Sequence, residues 1–94
     1  MWNQNQYQYK NITTVSSPVI FTGSGTLHSV LINNQNTGGT ITLTDTASPS
    51  VTIGVLQLSA SQTSLSPIIY DVAIAGGLQI TTTASPNITV TWTK

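Results

Sequence analysis

The sequence predicts an all-β fold, a single antiparallel β-sandwich of about eight short strands, jelly-roll-like. Three observations predict it. Apolar and polar residues alternate with a period of two, the period of a strand with one face buried and one wet. Turn formers recur between the alternating runs at intervals of about 8–12 residues, as in sandwiches and barrels. No stretch places apolar residues at helical spacing among helix formers, so no helix longer than one turn is expected.

The alternation places strands at about 7–15, 18–22, 26–33, 40–45, 51–58, 67–74, 77–82 and 87–93. The breaks are Ser16-Ser17-Pro18, Gly23-Ser24-Gly25, Asn33 to Gly39, Ala47-Ser48-Pro49-Ser50, Ala75-Gly76-Gly77 and Ala84-Ser85-Pro86-Asn87. Ile41 and Leu43 share a face against Thr40, Thr42 and Thr44; Ile88, Val90 and Trp92 share one against Thr89, Thr91 and Thr93. Leu78 and Ile80 likewise oppose Gln79 and Thr81. Between Val51 and Leu58 the apolar set changes face after Gly54, which predicts a β-bulge there. The expected core is Val30, Ile32, Ile41, Leu43, Ile53, Leu56, Tyr70, Val72, Ile74, Leu78, Ile80, Ile88, Val90 and Trp92.

Composition narrows the function. Thr, Ser, Asn and Gln fill 42 of the 94 positions, and the only charged side chains are Lys10, Asp45, Asp71 and Lys94. Ordinary domains are about 25% charged, and like charge keeps monomers apart and guards sheet edges. A neutral chain without that guard is expected to cover its edges with partners, so a homo-oligomer or a larger assembly follows. Without cysteine, no disulfide or thiolate metal site supplements the core. No run approaches the roughly 20 apolar residues of a membrane span, and no basic leader precedes an apolar stretch in Met1 to Lys10.

The chain divides into an N-terminal arm, residues 1–12, and a sandwich domain, 13–94. The arm holds Trp2, Tyr7 and Tyr9, half of the six aromatics, among Asn and Gln. These three are the expected interaction residues, packed on their own sandwich or laid across a neighbour, where Trp and Tyr are favoured anchors.

The inventory for chemistry is short, and the expectation is a protein that is not an enzyme, with no cofactor and no metal. His28 is the sole imidazole. Adjacent strand residues point to opposite faces, so Ser29 is poorly placed as its nucleophile, and no Gly-x-Ser-x-Gly elbow occurs. His28 reads as a strand-end residue bonded to a loop. Asp45 closes a strand and is expected to accept backbone N–H groups of the following turn; Asp71 is expected on a solvent face or paired with a hydroxyl or lysine. One His and two Asp do not make a zinc set, and two lysines do not make a nucleic-acid footprint. Two sequons, Asn11-Ile12-Thr13 and Asn87-Ile88-Thr89, are expected by chance in a chain so rich in Asn and Thr. The Thr-x-Thr runs match an ice lattice only if repeated in register, and no fixed repeat occurs.

Gly25 to Asn33, Gly39 to Thr46, and Ile69 to Ile74 leading to Gly77 to Thr82 resemble small structural proteins of tailed-bacteriophage virions, the capsid decoration or cement proteins. The likeness runs from about residue 12 to the C-terminus and rests on packing and turn patterns. It implies a folded sandwich, attachment to the major capsid protein or another virion protein, and frequently a trimer. It also implies synthesis in the bacterial host cytoplasm and residence on the capsid surface. The second expectation is a carbohydrate- or surface-binding module of a fibre or spike. That reading asks for exposed aromatics on a sheet face or loop; Trp92 open to solvent beside Tyr70 would support it, and Trp92 buried would weaken it. Neither expectation involves nucleic acid or a membrane.

Overall fold

The computed structural model describes residues 7–34, 39–58, 67–83 and 87–94. Within them the chain forms β1 (Gln8–Ile12), β2 (Val19–Thr22), β3 (Gly25–Asn34), β4 (Gly39–Asp45), β5 (Val51–Leu58), β6 (Ile68–Ile74), β7 (Gly77–Thr82) and β8 (Asn87–Thr93). One antiparallel sheet has the order β1-β8-β3-β6 and the other β2-β7-β4-β5. Apart from the β4–β5 hairpin, every connection passes from one sheet to the other. This winding is the jelly-roll form of the sandwich, two four-stranded layers sharing one core. The expected turns around residues 35–38 and 84–86 lie outside the described residues, as does Trp2.

The inner faces follow from the alternation. On β8 the burial alternates strictly, with Ile88, Val90 and Trp92 buried. Ile41 and Leu43 of β4 and Leu78 and Ile80 of β7 face them from the opposite sheet, all four fully buried. Each such side chain contributes about 1.5–3 kcal/mol by leaving water. Trp92 stacks on Phe21, ring centroids 6.1 Å apart, and Lys94 covers Phe21 from outside while donating to the Thr22 carbonyl at 2.7 Å. The indole N–H of Trp92 has no acceptor among the described residues.

The core differs from the expected one at identifiable places. Ile12, Phe21 and Leu27 are buried and were not expected. Ile12 belongs to β1, so the part of the expected arm from Gln8 to Ile12 is an edge strand paired to β8. Leu27 is buried although Val30 and Ile32 have the opposite parity, because the register slips between Leu27 and Ser29. Ile53, Leu56, Tyr70 and Val72 are only partly buried, since β5 and β6 are the sheet edges at one side of the sandwich. There Tyr70 lies against Gly54; a Cβ at that position would meet the Tyr70 hydroxyl at 3.0 Å. Burial raises the Tyr70 phenol above its ordinary pKa. The bulge expected at Gly54 is present, opposite Leu43 and Thr44.

Asp45 ties two turns together. Its carboxylate accepts the N–H groups of Ala75 at 2.9 Å, Gly76 at 3.0 Å and Ala47 at 3.1 Å. The close approach requires glycine at position 76, where a Cβ would stand 2.4 Å from the Ala47 backbone. The Ala75 N–H, then that of Gly76, hold the carboxyl below its ordinary pKa of 3.8. A depressed folded-state pKa stabilises the fold above the unfolded value, and that contribution disappears as pH falls through the folded value. Thermal melts should therefore show the midpoint dropping as pH falls below about 4. In Asp45→Asn the midpoint should already be lower at neutral pH, with a shallower acid decline.

Candidate functional site

The outer face of the β1-β8-β3-β6 sheet carries the one place among the described residues where chemistry-bearing side chains meet. Between Leu27 and Ser29, β3 has one residue more than β8, and β6 has one more than β3. The extra residues are His28 on β3 and the Tyr70–Asp71 step on β6. Asp71 accordingly has φ of 48°, a left-handed conformation that Asp tolerates better than most side chains. A bulge places two successive side chains on one side of the sheet. Leu27 and Val30 both point inward, so His28 and Ser29 both belong to the outer face.

There the His28 Nδ1 and an Asp71 carboxylate oxygen are 2.5 Å apart, with the two side chains 26% and 58% exposed. An ionised carboxylate only accepts, so Nδ1–H is the donor of this bond. Tyr7, just ahead of edge strand β1, reaches across β8 and stacks on the imidazole, centroids 4.0 Å apart and planes 11° apart. His28 is thus mid-strand and bonded to a carboxylate, not at a strand end bonded to a loop. Asp71 is partnered by an imidazole, not by a hydroxyl or lysine.

A carboxylate–imidazole pair supplies two of the three members of a nucleophile-activating triad. Ser29 shares the face after all, because the bulge suspends alternation, but its Oγ lies 2.6 Å from the Thr91 Oγ1 and is engaged there. No cavity opens among the described residues, and no three of their His, Asp or Glu side chains form a metal-binding group.

Around the pair the face is a grid of amides and hydroxyls. The Asn11 amide donates to Asn87 Oδ1 and to the Ile88 carbonyl, both at 2.8 Å. From the other side of β8, Asn33 donates to Thr89 Oγ1 at 2.9 Å and to Asn87 Oδ1 at 3.2 Å. The two sequon asparagines are therefore joined by a hydrogen bond, Asn11 donating and Asn87 accepting. Of the expected interaction residues, Tyr9 is 74% exposed on β1, and Tyr7 is half exposed on His28. The two lie on this face with His28 and Asp71, which sequence reading had not joined to them.

No family model, no curated protein and no solved structure matches the chain.

The left-handed residue separates backbone strain from pairing. Asn keeps the tolerance for positive φ and loses the charge; Val loses both. Urea melts should find Asp71→Val about 1–2 kcal/mol less stable than Asp71→Asn. Asp71→Asn alone should also loosen Tyr7, seen as reduced ring-current shifts of the imidazole protons.

Proposed function

We propose that the chain is a contact module, a building block of a larger assembly that binds through the outer face of the β1-β8-β3-β6 sheet. The observation that carries this reading is the Tyr7–Tyr9–His28–Asp71 surface. It concentrates exposed aromatic area and a fixed polar pair on an open, flat face. Such a face suits a broad partner better than a small molecule, which needs a concave site. Beside it, exposed Ile69 adds apolar area, and Asn11, Asn33, Asn87, Ser29, Thr89 and Thr91 hydrogen-bond one another, which lowers the cost of covering them.

The particular form proposed is a virion structural protein that decorates or stabilises a phage head. It is supported by the sequence resemblance and by the jelly-roll winding, a form recurrent in viral capsid proteins. That support is analogy of fold, and fold alone does not fix function. The saccharide-binding alternative is weakened by Trp92, which is 7% exposed and packed on Phe21.

Antibody raised against the chain should label particle heads in a lysate of its source, and the chain should co-sediment with them. Finding it only in the particle-free fraction would overturn the virion form. With two lysines and two aspartates in the whole chain, attachment should survive a rise to about 1 M salt. The double variant Tyr7→Ser, Tyr9→Ser should weaken attachment at least tenfold with the fold intact by circular dichroism. Stripping by moderate salt, or unimpaired attachment of the double variant, would count against the proposed surface.

A further inference from the structure

We infer that the chain also binds a second copy of itself, through the outer edge of β5. This inference does not depend on what covers the outer face of the other sheet.

Unpaired strand edges invite another chain unless something guards them. The four edge strands can be compared directly. β1 is five residues long and carries Lys10. β2 is four residues long, follows Pro18, and has a register irregularity. β6 carries Asp71 in its left-handed bulge. β5 is eight residues long, the longest of the four, with neither charge nor proline inside it, and past its bulge at Gly54 it pairs regularly from Val55 to Leu58. Nothing among the described residues pairs with its outer edge. Val51 and Val55 stand 57% and 56% exposed along it.

The hydrogen-bond phase of the sheet identifies the free groups. Thr83 N–H donates to the Thr40 carbonyl and Thr46 N–H to the Gly77 carbonyl, so the even-numbered residues of β4 bond toward β7. The odd-numbered ones then bond toward β5, which pairs Ile41 with Leu56 and Leu43 with Gly54. Val55 and Gln57 lie between those pairs, and their N–H and C=O groups point away from β4.

The geometry also sets the symmetry. A three-fold ring needs two different edges that fit each other, whereas a two-fold contact uses one edge twice. Val55 to Leu58 is the longest uncharged, regularly paired stretch on any edge described, so the contact is two-fold and antiparallel. An axis through Val55 pairs the two Val55 backbones by reciprocal N–H···O=C bonds and brings their exposed side chains together. The two β2-β7-β4-β5 sheets then form one continuous eight-stranded sheet. The trimer that the family resemblance implies requires a different contact.

Sedimentation of the full chain at about 100 µM should show a dimer, since a dissociation constant of even 10 µM would populate it there. Val55→Lys places two cations together and should raise the dissociation constant at least tenfold. Gln57→Pro should do the same, because it removes an outward N–H and keeps the backbone ladder to β4, losing only the long side-chain bond from Gln57 to the Gly39 carbonyl. Circular dichroism checks that each variant folds. Amide exchange on the unmodified chain needs no variant: Val55 and Gln57 should gain protection with concentration, and Tyr9→Ser should dimerise normally. A monomer at that concentration, a trimer, or a dimer indifferent to both substitutions with no added protection would overturn the inference.

Discussion

Burial of one face of every strand against the opposite sheet is the constraint on which the rest depends. The chain has no cysteine, and the one imidazole–carboxylate contact among the described residues sits on the surface. Its cohesion therefore comes from rows such as Ile41–Leu43, Leu78–Ile80 and Ile88–Val90–Trp92, together with the ladders that hold those rows in register. Losing any one of these aliphatics to Ala removes roughly 2–5 kcal/mol, a large share of what a domain this size has in hand. The outer faces are then released from any duty in the core. Threonine and asparagine fill most of them, and they satisfy one another across β8.

That division explains why the bulges matter. Strict alternation along β3 would send Leu27 outward, or else Val30 and Ile32. The slip at His28 keeps all three inside, at the cost of putting two consecutive side chains, His28 and Ser29, on the same outer surface. The compensating irregularity in β6 turns Asp71 left-handed and brings its carboxylate to the imidazole. The polar pair is thus a product of how the core was packed, and Tyr7 uses the result as a stacking platform. A second carboxylate has a different role. Asp45 is the one carboxylate spent on architecture, accepting N–H groups from two turns that would otherwise be separate loops.

Period-two patterning made most of the fold legible. The strand boundaries around 51–58, 77–82 and 87–93 coincide with the observed ones; the last two strands alternate cleanly and begin at the turn formers Gly77 and Asn87. The bulge near Gly54 was readable because the apolar set visibly changes face there. The bulge at His28 was not, since one buried Leu of opposite parity in a strand otherwise consistent with alternation carries too little signal. The His28–Asp71 contact joins residues 43 positions apart across strands whose order no local pattern specifies. Tyr7 and Tyr9 were picked out by composition alone, without any indication that Tyr7 would find His28. Ile12 and Phe21 escaped notice because short edge strands give too few alternations to phase.

A molecule organised in this way offers a partner surface and edges, and its use is decided by what rests on them. Hydroxyl-radical footprinting reads that directly at tyrosine side chains. It should be carried out on the chain in its native lysate and on the purified protein. The account predicts that Tyr7 and Tyr9 lose most of their reactivity in the lysate while half-buried Tyr70 is unchanged. Equal reactivity of Tyr7 and Tyr9 in the two preparations would contradict it.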